Sequence, residues 1–186
     1  MKRNINIIIA VGLILMAAVA RIVNFEMALY NFAPVAAIGL FGGAVLGDKR
    51  LSFLMPILAL FIADLYIELF NTNPMMRGFY GLEQFFVYGG MIAVTALGLS
   101  MKSIKAANVL GYSLAGSTLF FIISNLGAFA SGMYGYSFGG FTTTYVMAIP
   151  FFKNTLLGDL IGNTVLFGGF YLLQQAVQQR MVKARA

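Results

Sequence analysis

With 186 residues, 60% of them hydrophobic and 10% charged, and a mean hydropathy of +0.87, the chain is far more apolar than a soluble domain, in which about a quarter of residues are charged. It has no cysteine and no histidine, which excludes disulfides, thiolate chemistry, His/Cys zinc sites and any histidine-based triad. A net charge of +6 would point to nucleic acid in a soluble protein; here the basic residues flank apolar runs and read as membrane topology.

In chain order, the pattern predicts an all-α, polytopic membrane protein forming one transmembrane domain over residues 1–186. The first helix is expected over Ile5–Val23, the second over Ala33–Gly47 and the third over Leu51–Phe70. The fourth is expected over Leu82–Met101, the fifth over Ala107–Phe129 and the sixth over Asn154–Val177. A span needs about 20 residues, so the second is short for one. Residues 139–152 form a further apolar patch, interrupted by Pro150 and read as a short interfacial helix or loop before the last span. At the start, Lys2-Arg3 and the run ending Ala18-Val19-Ala20 also have the form of a signal peptide. The continuation of that run past Arg21 to Val23 favours a retained span.

Six spans put both termini on one side. Nine of the twelve basic residues then share it, leaving Arg21, Arg77 and Lys153 opposite, so the termini are expected in the cytoplasm of a bacterial inner membrane. The acids show the reverse bias, with Asp48 alone on that side.

Two of those acids, Asp64 and Asp159, sit inside apolar runs, where an ionisable side chain costs at least ~2.5 kcal/mol on insertion scales. With these boundaries Asp64 falls ~9 Å and Asp159 ~8 Å below the outer ends of their helices, at matched depth. Glu68 follows Asp64, and Asn163 follows Asp159, by one helical turn on the same face, and Asn125 lies slightly above. The outer loops add Tyr134 and Tyr136 among glycines, a candidate gate. The expected substrate-binding set is therefore Asp64, Glu68, Asn125, Tyr134, Tyr136, Asp159 and Asn163. The competing account makes the aspartates structural glue between helices. Ala33-x-x-x-Ala37 and Gly39-x-x-x-Gly43 allow another helix to approach closely, either within the chain or as a docking face for a partner subunit.

No P-loop motif is present, so ATP is not hydrolysed by this chain through one, and no metal, cofactor or enzyme activity is expected. Nothing marks a channel filter, and nothing flanking the aspartates supports an acid protease.

The run Asn31-Phe32-Ala33-Pro34-Val35-Ala36-Ala37-Ile38-Gly39-Leu40-Phe41-Gly42-Gly43 resembles the signature of an uncharacterised family of bacterial membrane proteins described as transport proteins. So do Pro56 to Asp64, Phe120-Phe121 with Ser124-Asn125, Ala148-Ile149-Pro150-Phe151-Phe152, and Asn154-Thr155-Leu156-Leu157-Gly158-Asp159. More loosely, in size, span count and small-residue helices, the chain is similar to the substrate-binding S-components of energy-coupling-factor (ECF) vitamin transporters. That resemblance implies an outward-facing site capped by loops, and small-residue contacts to a transmembrane coupling subunit working with ATPases. In this chain the small-residue helix is the second rather than the first. The expected function is the substrate-binding subunit of a micronutrient transporter. A membrane scaffold or assembly protein, and a stand-alone cation-coupled carrier, are the alternatives.

Overall fold

A computed structural model describes residues 2–27, 34–71 and 77–183. Among them are six α-helices: α1 Lys2–Glu26, α2 Val35–Val45, α3 Lys49–Phe70, α4 Leu82–Leu99, α5 Ala106–Ala130 and α6 Phe138–Lys183. Among the described residues, four stretches are long and apolar enough to cross a membrane: Lys49–Phe70, Leu82–Leu99, Ala106–Ala130 and Phe138–Ala176. The all-helical expectation therefore holds. Consecutive helices from α2 to α6 run antiparallel, so the loops carrying Asp48 and residues 100–105 mark one end, rich in Lys and Arg. Tyr80, Tyr134 and Tyr136 mark the other. These are called the basic and aromatic ends below.

The turn from α2 into α3 is closed by short polar side chains. Asp48 caps α3 by accepting from Arg50 N at 2.9 Å, and the Ser52 hydroxyl donates back to Gly42 O at 3.0 Å. Beside it α2 lies almost backbone-to-backbone on α4. A Cβ on Gly43 would collide with the Thr95 carbonyl oxygen, and one on Gly98 with that of Leu40. The small-residue face expected to dock a partner is thus used within the chain. Gly39 and Gly43 meet α4, and fully buried Ala37 lies against Gly162 of α6. Ala33 lies outside the described residues.

The largest departure from expectation is α6. Residues 139–152 are not a separate interfacial element; they are the first part of a 46-residue helix that continues through Pro150. Proline removes one backbone donor, yet this stretch is held along its length by α5. Phe129 packs edge-on against Phe141, and Phe121 contacts both Tyr145 and Phe152. The Tyr145 hydroxyl donates to Ile122 O at 2.9 Å. Farther along, Ser117 meets Asp159 and Ser113 meets Asn163. Neighbouring helices commonly compensate a proline in this way in membrane bundles. At 1.5 Å per residue α6 is ~69 Å long, so its last turns run beyond the start of α5 at the basic end.

This changes depth. Asp159 lies 21 residues after Phe138, not five after the start of its helix. Ser117, its partner, is level with Val94 on α4, because Gly116 packs on Val94. The partners of Asp64 on α4 are Gln84 and Tyr88. Asp159 therefore lies about 9–15 Å farther from the aromatic end than Asp64, and the expected matched level is corrected.

Candidate functional site

Asp64 on α3 is fully buried and surrounded by donors. Arg21 of α1 donates from Nε at 3.2 Å and Nη2 at 2.7 Å to one oxygen. Gln84 at 3.0 Å and Tyr88 at 2.9 Å, both on α4, donate to the other. The guanidinium also interacts electrostatically with the Tyr80 hydroxyl. Burial raises the Tyr80 phenol above its ordinary value against the opposing pull of the Arg21 charge, so it stays a neutral hydroxyl. An ion pair with every carboxylate oxygen bonded is how a charge is tolerated in an apolar bundle.

Asp159 is equally buried, at 1% exposure, but among the described residues it has no ion-pair partner. Its Oδ1 accepts from Ala37 N at 3.0 Å and its Oδ2 from the Ser117 hydroxyl at 2.8 Å. Ala37 lies in the first turn of α2, whose own flanking residue, Pro34, supplies no side-chain cap. Asp159 is thus the N-cap of α2, delivered from another helix, with a carboxyl oxygen accepting from the N–H groups at the helix start.

Between these two carboxylates lies a cavity of about 350 Å³, to which every helix contributes. Phe25, Phe120, Phe121, Phe151 and Phe152 supply flat apolar walls. Arg21, Asn24, Tyr80, Glu83, Ser124 and Asn125 supply donors and acceptors. Ala36, at the start of α2, belongs to the wall nearest Asp159, and the cavity reaches toward the aromatic end at Glu83 and Ala128. An apolar chamber with a few convergent polar groups is the usual make-up of a small-molecule site.

Of the seven residues expected to bind substrate, Asn125 alone lines this chamber. Asp64 sits behind Arg21, and Asp159 behind the start of α2. Glu68 turns to the α3–α4 loop, accepting from Gly78 N at 3.0 Å and Phe79 N at 3.2 Å, with Arg77 at 3.6 Å. Tyr134 and Tyr136 lie in the α5–α6 turn, 41% and 73% exposed, outside the chamber wall; Tyr136 packs on Phe129. Asn163 is buried but lines a different recess, between α5 and α6.

The residues not anticipated as site members are Arg21, Asn24, Tyr80 and Glu83 in the chamber, with Gln84, Tyr88 and Ser117 as partners of the aspartates. One signal could have found Arg21. It stands within the first apolar run, where a basic residue calls for an acidic partner, and Asp64 is the available one.

Fold and chamber together define a class: a small all-helical protein of membrane-spanning composition, with an internal chamber walled by all its helices. The chain belongs to a family described only as a family of unknown function (DUF6580), whose profile matches residues 1–181. No curated protein and no solved structure matches the chain.

Proposed function

We propose that this protein is the substrate-binding integral membrane subunit of a bacterial micronutrient transporter. It would cross the inner membrane six times with both termini in the cytoplasm, and take a small vitamin-like molecule from outside. The observation that carries this reading is the chamber. Its volume suits a small molecule, aromatic side chains face polar ones across it, and it reaches toward the end opposite most of the basic residues. In this reading Arg21, Asn24, Glu83 and Asn125 contact the ligand. Asp64 fixes the Arg21 guanidinium, and Asp159 fixes the start of α2. The turn carrying Tyr134 and Tyr136 closes the mouth. With no P-loop in the chain, uptake draws on a transmembrane coupling subunit and its ATPases.

The test uses the full-length protein purified from membranes in mild detergent. Native mass spectrometry should show a small organic molecule retained by the wild type. It should be lost in Ala148→Phe, which fills the chamber, and weakened in Asn125→Leu. A wild type that retains nothing and whose transport partner-dependent uptake is unaffected by Ala148→Phe would overturn the reading. Because both aspartates are engaged within the fold, a scaffold role is the second reading. It expects Ala148→Phe to leave ligand content unchanged while altering the recovery of an associated membrane complex.

A further inference from the structure

The unbroken course of α6 moves a lysine. The sequence pattern puts Lys153 ahead of the last span, at the outer surface; the structure puts it inside the helix. Its depth follows from packing. The neighbouring Phe152 ring packs on Phe121 of α5 at 4.6 Å, and Gly90 of α4 lies against Phe120. Lys153 is therefore level with about Gly90, eight residues after Leu82 at the start of α4. That is ~12 Å below the aromatic end of an 18-residue, ~27 Å helix, near its middle.

Lys153 is exposed, and among the described residues it has no ion-pair partner. Among the same residues α6 packs on α2 and α5 and on no other helix. Ala148, Phe151, Phe152 and Thr155 of α6 line the chamber. Lys153 belongs instead to an outward stripe with Val146, Ile149, Leu157 and Ile161, spaced at one or two turns from it and all exposed. A lone cation halfway along such a stripe is out of place, because ionisable residues at this depth turn inward and pair. Snorkelling along its apolar stem carries the ammonium little more than one turn toward the aromatic end, short of the surface.

We propose that this stripe docks a membrane-spanning helix of a different protein, one that carries a single carboxylate near its middle. The carboxylate pairs with Lys153, and apolar side chains around it cover Ile149 and Leu157. Charge selects this occupant. A second copy of the chain cannot supply the acid. Of the six in the sequence, Asp64 and Asp159 are buried and Asp48 lies at the basic end. Glu26 and Glu68 lie in the last turns of α1 and α3, and Glu83 in the first turn of α4, all at the aromatic end. Two copies about a two-fold axis would bring their lysines together. A lipid phosphate stays at the bilayer surface, above the reach of the side chain. The proposal rests on α6 crossing the membrane, not on what the chamber binds.

The test uses the full-length protein in phosphatidylcholine vesicles, with association read by energy transfer to labelled peptides. The probes are two leucine-rich spanning peptides of about 20 residues, one with Glu at its middle and one with Leu there. The Glu peptide should associate about tenfold more tightly, the size of a good polar contact between model membrane helices. Lys153→Leu should remove that preference, and Lys153→Glu should transfer it to a peptide with a central Lys. Lys153→Leu adds an apolar side chain to an apolar face, so its unfolding midpoint in detergent should not fall. Because the chain has no cysteine, Ile149→Cys should form a disulfide with a peptide Cys placed one turn from the Glu. Ile92→Cys, exposed on α4, should not. Equal association of the two peptides, a preference unchanged in Lys153→Leu, or equal cross-linking from Ile92→Cys would each overturn the proposal. So would a Lys153-dependent enrichment of phosphatidylglycerol with no preference between peptides, since the lysine would then be serving a headgroup. Ligand retention in the chamber is unaffected by any of these outcomes.

Discussion

Asp64 is held by side chains alone: a guanidinium, an amide and a phenol, drawn from α1 and α4. Asp159 is held by a backbone N–H of α2 and one hydroxyl of α5, with no ion-pair partner among the described residues. Both are carboxylates in apolar runs, so sequence presents them as equivalent. Their surroundings make them different devices. At Asp64 a charge answers a charge, and the pair ties α1, α3 and α4 at the aromatic end. At Asp159 a carboxyl oxygen answers a helix end, and the contact decides where an 11-residue helix begins. A costly polar residue in such a chain can therefore be a fastener in either of two ways. The chamber lies between the two fasteners, touching Arg21 from one and Ala36 from the other.

The comparison is broken most directly at the ion pair. Arg21→Met leaves a buried carboxylate with only Gln84 and Tyr88 and should cost about 3 kcal/mol, read as a lowered thermal unfolding midpoint in detergent. Adding Asp64→Leu should recover most of that loss; a double variant as unstable as the sum of the singles would show that the two residues do not act as a pair. Asp159→Ala should cost somewhat less, about 2 kcal/mol, by leaving the Ala37 N–H unbonded and the Ser117 hydroxyl with Ser113 O alone. Its signature is local: hydrogen exchange should quicken at Ala37 and the first turn of α2, not at α1. Asp159→Asn, which keeps an acceptor oxygen, should restore much of the protection.

The helices themselves were legible. Apolar runs of spanning length placed α1, α3, α4 and α5 within a few residues, because hydropathy alone decides them. The last helix was not. Pro150 reads as a break, and what overrides it, the packing of Phe141, Tyr145 and Phe152 on α5, is tertiary and invisible in a local pattern. That one boundary carried the depth of Asp159 with it, and so the picture of two aspartates at one level. The face of α2 was legible as a close-packing stripe but not as to its partner, since the same small residues suit an internal or an external helix. α4 is the partner of Gly39 and Gly43. Gly43→Ala should therefore lower stability by about 1–2 kcal/mol in the isolated chain through contact with α4 backbone. An isolated chain unaffected by this change would return the stripe to an outside partner.

The smallest expected effect separates Glu68 from both aspartates. Glu68 shares the helix face of Asp64, one turn on, yet its side chain is part-exposed and its bonds go to the Gly78 and Phe79 amides. Its link to Arg77 is long and lies at the surface, so losing the charge alone should matter little. Glu68→Gln keeps an oxygen for the two N–H groups and should shift stability by less than about 0.5 kcal/mol, whereas Glu68→Ala, which frees both, should cost about 1 kcal/mol. Protease sensitivity near Gly78 should rise in the alanine variant only. If Glu68→Gln instead abolished retention of a chamber ligand without moving the unfolding midpoint, the charge at this position would be reading the ligand, and the division between fastening acids and the chamber wall would have to include it.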